Sequence, residues 1–136
     1  MQKRKNYVEI EEDNGAVLRY FHHPNGGGLV ESTATVDPTA YVEQSAYIDP
    51  GARVEAHARI GTGTWVDHDA VVLEGAVLGS AVHVGPAATV GRSAQLGARV
   101  KIGARARVRD GVTMPPDTVV ADEAVVRDRP STRSAA

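Results

Sequence analysis

Chemistry in this chain has few candidate carriers. There are five His and no Cys, so a disulfide scaffold, a thiolate zinc site and a cysteine nucleophile are excluded together. A histidine can act as a general base toward a hydroxyl or an amine, and His83 is the best placed to do so, sharing an outer face with Trp65 and lying near Lys101. No Ser/His/Asp arrangement, phosphate loop or pair of carboxylates at a meaningful spacing accompanies it. Gly85, Gly91, Gly97 and Gly103 imitate a glycine-rich motif but are spaced as corners of a repeat. Thr33-Ala34-Thr35 and Thr62-Gly63-Thr64 are not one coil apart, so they build no ice-binding column. His83 is therefore expected at an interface or on plain surface, with no catalytic residue, no metal and no cofactor.

The elements that would position these side chains follow from periodicity. The 136 residues suffice for one domain, 15 basic residues nearly balance 17 acidic ones, and aromatics are only 4%. That composition rules out a large core of Phe, Trp and Leu, and the charge balance gives no polycation for nucleic acid or membrane. No run of about 18 apolar residues is present, and Met1-Gln2-Lys3-Arg4-Lys5 leads into no apolar signal core. The cytoplasm is the default location. From Val36 to Val126 an aliphatic residue recurs at every sixth position, 16 times without insertion or deletion. Two residues before each lies a small or β-branched residue, from Ala34 to Ala124. A helix of 3.6 residues per turn would smear a period of six around its cylinder. A solenoid uses it directly: each hexad gives a strand and a corner, three hexads close a triangular coil, and inward aliphatics stack about 4.8 Å apart on their counterparts 18 residues later.

This pattern resembles the hexapeptide-repeat left-handed parallel β-helix superfamily, over residues 31–126. The resemblance implies an all-β solenoid of about five coils, left-handed against the general right-handed rule for parallel crossovers. Residues 1–30 read as an N-terminal β-hairpin with a Gly-rich joint, and residues 127–136 as a polar tail. In the hairpin, Asn14-Gly15 lies between Tyr7–Glu11 and Val17–Phe21, and a two-residue turn would set Val8 opposite Phe21. Such a hairpin could cover the first coil, whose edge needs a cap.

A thin prism has little interior for its surface, and the superfamily usually forms trimers, so a homotrimer is expected. Sorting outward positions by 18 puts Tyr47, Trp65, His83, Lys101 and Val119 on one face. Thr35, Arg53, Val71, Thr89, Arg107 and Val125 share a second, and Tyr41, Arg59, Val77, Gln95 and Thr113 a third. Tyr47, Trp65 and His83 form the first candidate interface, and Val71, Leu73 and Val77 the second. Charge is also ordered: residues 75–109 carry Arg92, Arg99, Lys101, Arg105, Arg107 and Arg109 against no acid, a basic patch that could meet an anion or a partner. It lacks interleaved aromatics, so single-stranded nucleic acid is not expected there.

Two enzyme classes share the fold. The stretch Ile60-Gly61-Thr62-Gly63-Thr64-Trp65-Val66-Asp67-His68-Asp69 resembles the start of the γ-class carbonic anhydrase motif, but that family's three zinc ligands fall on Leu73, Pro86 and Gly91, which cannot bind metal. His57, His68 and His83 stand at different hexad phases. Hexapeptide acyltransferases use a His base beside an intersubunit cleft, usually shaped by a loop or a C-terminal helix, and neither is legible here. The expectation is a non-catalytic homotrimer serving as a structural or scaffolding piece. Its hairpin (7–22) and tail (127–136) would meet a larger assembly, such as a virion. The alternative is an acyl-CoA-dependent acyltransferase with an intersubunit active site.

Overall fold

Alternate residues of each hexad point inward, and that alternation builds the whole molecule. The computed structural model describes residues 7–127; the tail from Asp128 onward lies outside the described residues. From Thr35 to Val126 sixteen two-residue strands succeed one another, one per hexad. They stack into three parallel faces with partners 18 residues apart, as in Tyr47 to Trp65 to His83 to Lys101 to Val119. The result is a left-handed parallel β-helix of about five coils. Its core is a column of Val42, Ile48, Val54, Ile60, Val66 and their successors up to Val120, with Ala at most of the cramped positions between. Thr64 takes one such small position, and its buried hydroxyl donates to the Gly79 carbonyl at 2.6 Å while accepting from Val82 N at 3.1 Å.

The corners have a conformational rule that the glycines alone do not reveal. Every sixth residue from Ser45 to Glu123 has positive φ, including Ala81 at 56° and Ala87 at 59°. Each occupies the third place of a corner turn, most of them closed by a bond such as Ala46 N to Glu43 O, 3.1 Å, where left-handed backbone is required. The glycines that directly follow the aliphatic serve another need. At Gly91 a Cβ would lie 2.5 Å from Arg109 C and Asp110 N of the next coil, so only hydrogen lets the two turns approach.

The amino-terminal segment extends the first face. Strands β1 (Tyr7–Glu11) and β2 (Val17–His22) form the hairpin, and β2 pairs antiparallel with β3 (Leu29–Glu31), which runs parallel to Tyr47–Ile48. The hairpin register differs from the expected one by a residue: Val8 faces Tyr20, and Tyr7 faces Phe21. Its loop is Asp13-Asn14-Gly15, closed by Glu12 N to Ala16 O at 2.7 Å, with Gly15 at φ 88°. A turn followed by a left-handed glycine is the three-residue solution, and it gathers Val8, Ile10, Leu18 and Tyr20 on one side of the ribbon. At the joint, a Cβ on Gly26 would land on the Val42 carbonyl, so the chain can bend back onto the first coil only with glycine there.

Candidate active site

Two buried carboxylates stand one above the other at the corner between the first and second faces. Asp49 follows inward Ile48 and Asp67 follows inward Val66, 18 residues on, and both are 7% exposed. Every oxygen of the pair receives a donor. Asp49 Oδ1 accepts from the Tyr20 hydroxyl at 2.8 Å and Oδ2 from Trp65 Nε1 at 2.6 Å. Asp67 Oδ1 accepts from His68 N at 2.7 Å and His68 Nδ1 at 2.9 Å, and Oδ2 from His83 Nε2 at 3.0 Å. The His83 ring also lies flat on the Trp65 indole, centroids 4.1 Å apart and planes 17° apart.

The protonation states follow from these partners. Burial works against the Asp67 anion, but hydrogen bonds from His68 and His83 more than offset it, and its pKa is lowered. An ionised carboxylate can only accept, so His68 carries its proton on Nδ1 and leaves Nε2 with a free lone pair. The Asp67 hydrogen bond raises the His68 pKa against opposing burial, with the Asp49 charge adding to it. The His68 side chain is 47% exposed whereas that of Asp67 is 10% exposed, so the ring is anchored inside and open outside. A histidine held in one tautomer by a buried carboxylate, with its side chain about half exposed, has the arrangement of a general base.

His68 is thus a candidate base that the hexad spacing alone does not single out. His83 belongs to the site but turns its Nε2 inward to Asp67; His68 presents the free nitrogen. His68 and His83, despite their different hexad phases, converge on one carboxylate. The signal for this was available: Asp49 and Asp67 are one coil apart, and the column continues back to Glu31, itself 4% exposed. Ligand atoms of Asp49, Asp67 and His68 lie within 4.8 Å of one another, yet their oxygens are taken by Tyr20, Trp65, His68 and His83. Among the described residues no buried side-chain polar atom lacks a partner. The cluster is a satisfied hydrogen-bond network rather than a set of donors aimed at an ion.

Around it, a shallow groove of about 350 Å³ runs from His83 over Gly85, Pro86, Gly103 and Ala104 toward Val119. Gly85, Gly103 and Ala104 line it together with Lys101, Ile102 and Asp122. Of the expected interface residues, Trp65 is engaged with Asp49 and His83, while Tyr47 packs edge-on to Tyr20 at 5.8 Å. Val71 and Leu73 are half-buried, and Val77 is exposed. In the basic patch Arg99 pairs with Asp117 at 2.7 Å and Arg105 with Glu123 at 3.0 Å, each one coil on. Acids beyond residue 109 therefore answer part of the basic run.

The fold and its structural neighbours place the chain in the hexapeptide-repeat left-handed β-helix superfamily. It is similar to a histidine-to-alanine mutant of GDP-perosamine N-acetyltransferase from Caulobacter crescentus, solved with CoA and GDP-perosamine, at 33% identity and TM-score 0.72, covering 76% of this chain and 50% of that one. It is also similar to the acetyltransferase domain of PglB from Neisseria gonorrhoeae, at 28% identity and TM-score 0.73, covering 82% of this chain and 53% of that one. The chain thus spans about half the length of the structures it matches. No family profile and no curated protein matches it.

Proposed function

We propose that this chain transfers an acyl group from a CoA thioester to an amine, with His68 as general base and Asp67 as the residue that orients it. The observation that carries this reading is the buried Asp67 carboxylate on His68 Nδ1 at 2.9 Å, beneath a ring whose side chain is 47% exposed. As the amine nitrogen attacks the thioester carbonyl, Nε2 takes the amine proton. The C–S bond then breaks, and the imidazolium returns the proton to the departing thiolate, giving amide and free thiol. Asp67 stabilises the transient imidazolium without itself gaining a proton. The shallow groove beside His83 suits an extended thioester arm. The structural similarity to two acetyltransferases, one of them solved with CoA, favours this reading over the non-catalytic scaffold, and nothing in the comparisons favours assembly into a virion.

The groove is shallow and open, and a second copy of the chain would wall it in; we take the working form to be a homotrimer on that ground. The test of the activity is direct. Acetyl-CoA at 100 times its dissociation constant should stabilise the fold by about 2.7 kcal/mol, and amino sugars linked to nucleotides should provoke thiol release. His68→Ala should keep the thermal shift and lose thiol release. Absence of both shift and release in the parent protein would sink the proposal.

A further inference from the structure

The catalytic corner is tied to an element that the β-helix does not need for its own coil. Tyr20, on β2, is 4% exposed and reaches across to Asp49 Oδ1 at 2.8 Å. Asp49 Oδ2 in turn lies 3.6 Å from His68 Nδ1, the same nitrogen that Asp67 holds at 2.9 Å. His68 Nδ1 therefore sits between two carboxylates from successive coils. One of them is fixed by its own turn, where His68 N bonds Asp67 Oδ1 at 2.7 Å. The other is fixed by Tyr20 from the hairpin and by the Trp65 indole.

From this geometry we infer that Asp49 and Tyr20 are positioning residues for His68: the hairpin, through the Tyr20 hydroxyl, holds a second carboxylate against the base and so helps to set its tautomer and proton affinity. The inference rests on the acyl-transfer reading for its catalytic meaning, though its structural core does not. The charged and titratable groups facing the ring are Asp67 from its own corner and Asp49 from the preceding coil. His83 from the following coil acts through Asp67, the Glu12 charge reaches it from the hairpin, and Tyr20 acts through Asp49. Two negative charges near Nδ1 favour the imidazolium that forms when Nε2 accepts a proton. Removing one leaves the base weaker and its ring less constrained. Tyr20 is itself a good anchor, because burial and then its bond to Asp49 raise its pKa and keep the hydroxyl a donor.

The experiment is a histidine-ring NMR titration of the full chain, comparing parent, Asp49→Asn and Tyr20→Phe. Asp49→Asn removes charge without removing partners: the amide oxygen can still accept from Trp65, and the amide nitrogen can donate to the Tyr20 oxygen. The His68 midpoint should fall in Asp49→Asn, and fall less in Tyr20→Phe, where the carboxylate remains but loses one of its two anchors. In parallel, acetyl transfer should lose about 10- to 100-fold in kcat with KM for acetyl-CoA unchanged, and its pH–rate limb should move with the NMR midpoint. A His68 titration in both variants that superimposes on the parent would overturn the proposal. A parent protein that transfers no acetyl group would defeat the acyl-transfer reading instead, and the NMR arm would still support or overturn the positioning of His68.

Discussion

His68 titrates in a setting whose direction is fixed by its neighbours. The Asp67 hydrogen bond, opposed by burial and helped by the Asp49 charge, raises its pKa above the usual 6.5. A base must be neutral to accept a proton, so acyl transfer should rise with pH through a limb lying above the ordinary histidine value; a pH–rate profile measures it. Asp67→Asn removes the largest contribution, moves that limb toward lower pH and should cost roughly 10²–10⁴-fold in turnover, since the tautomer is no longer enforced. Stability carries the complementary sign. The raised His68 contributes fully below about pH 6.5 and loses its contribution as pH rises through the folded pKa. The lowered Asp67 contributes above about pH 4 and loses its contribution as pH falls through its folded pKa. Between these limits both act, so the urea midpoint should be higher at pH 5.5 than at pH 9. A midpoint that climbs steadily to pH 9 would contradict the His68 assignment.

Elements in this chain are decided by turns as much as by the repeat. Gly15 has φ 88° with no atom near enough to meet an added Cβ, so Gly15→Ala has a purely conformational cost of about 1 kcal/mol, visible as a lower melting temperature. Ala81 poses the reverse case, a left-handed residue with φ 56° and no side-chain bond to compensate. Ala81→Gly should stabilise by about 0.5–1 kcal/mol, the left-handed penalty relieved exceeding the chain entropy added. These positions also explain what could be read from sequence and what could not. The period of six yielded sixteen strands, three faces and their partners, because an inward aliphatic at a fixed spacing leaves no other solution. Asn14-Gly15 alone did not distinguish a two-residue turn from a three-residue one, and the difference decides which side chains share a face with Tyr20. The carboxylate pair is harder to read for a simpler reason: it lies not on the outward strand positions that the period of 18 sorts into faces but at the corner that follows them. Asp49 and Asp67 have no neighbour in sequence to mark them as partners; only coil stacking does.

At the scale of the molecule the solenoid is a sequence of nearest-neighbour contacts, and each coil rests only on those beside it. Truncating one fully buried rung such as Ile60, 0% exposed, to Ala should therefore cost about 2–5 kcal/mol, and its thermal melt should show whether the prism still unfolds as one unit. Association adds contacts that a lone prism cannot make. In the coil that carries His68 the second face is reached at Val71, three residues on, and Leu73 and Val77 continue an apolar edge onto the third face. On the homotrimer proposed above, a copy packed across the second face would reach from that edge to the Asp67–His68 corner at the other end of the face, which would couple oligomeric state to activity. The melting temperature of the parent should then rise with protein concentration. Leu73→Arg, placing a charge at the centre of the edge, should reduce the sedimenting mass and lower acetyl transfer together while leaving the β-sheet circular dichroism intact. Loss of the trimer with full activity retained would separate the two and leave a site that a single prism completes by itself.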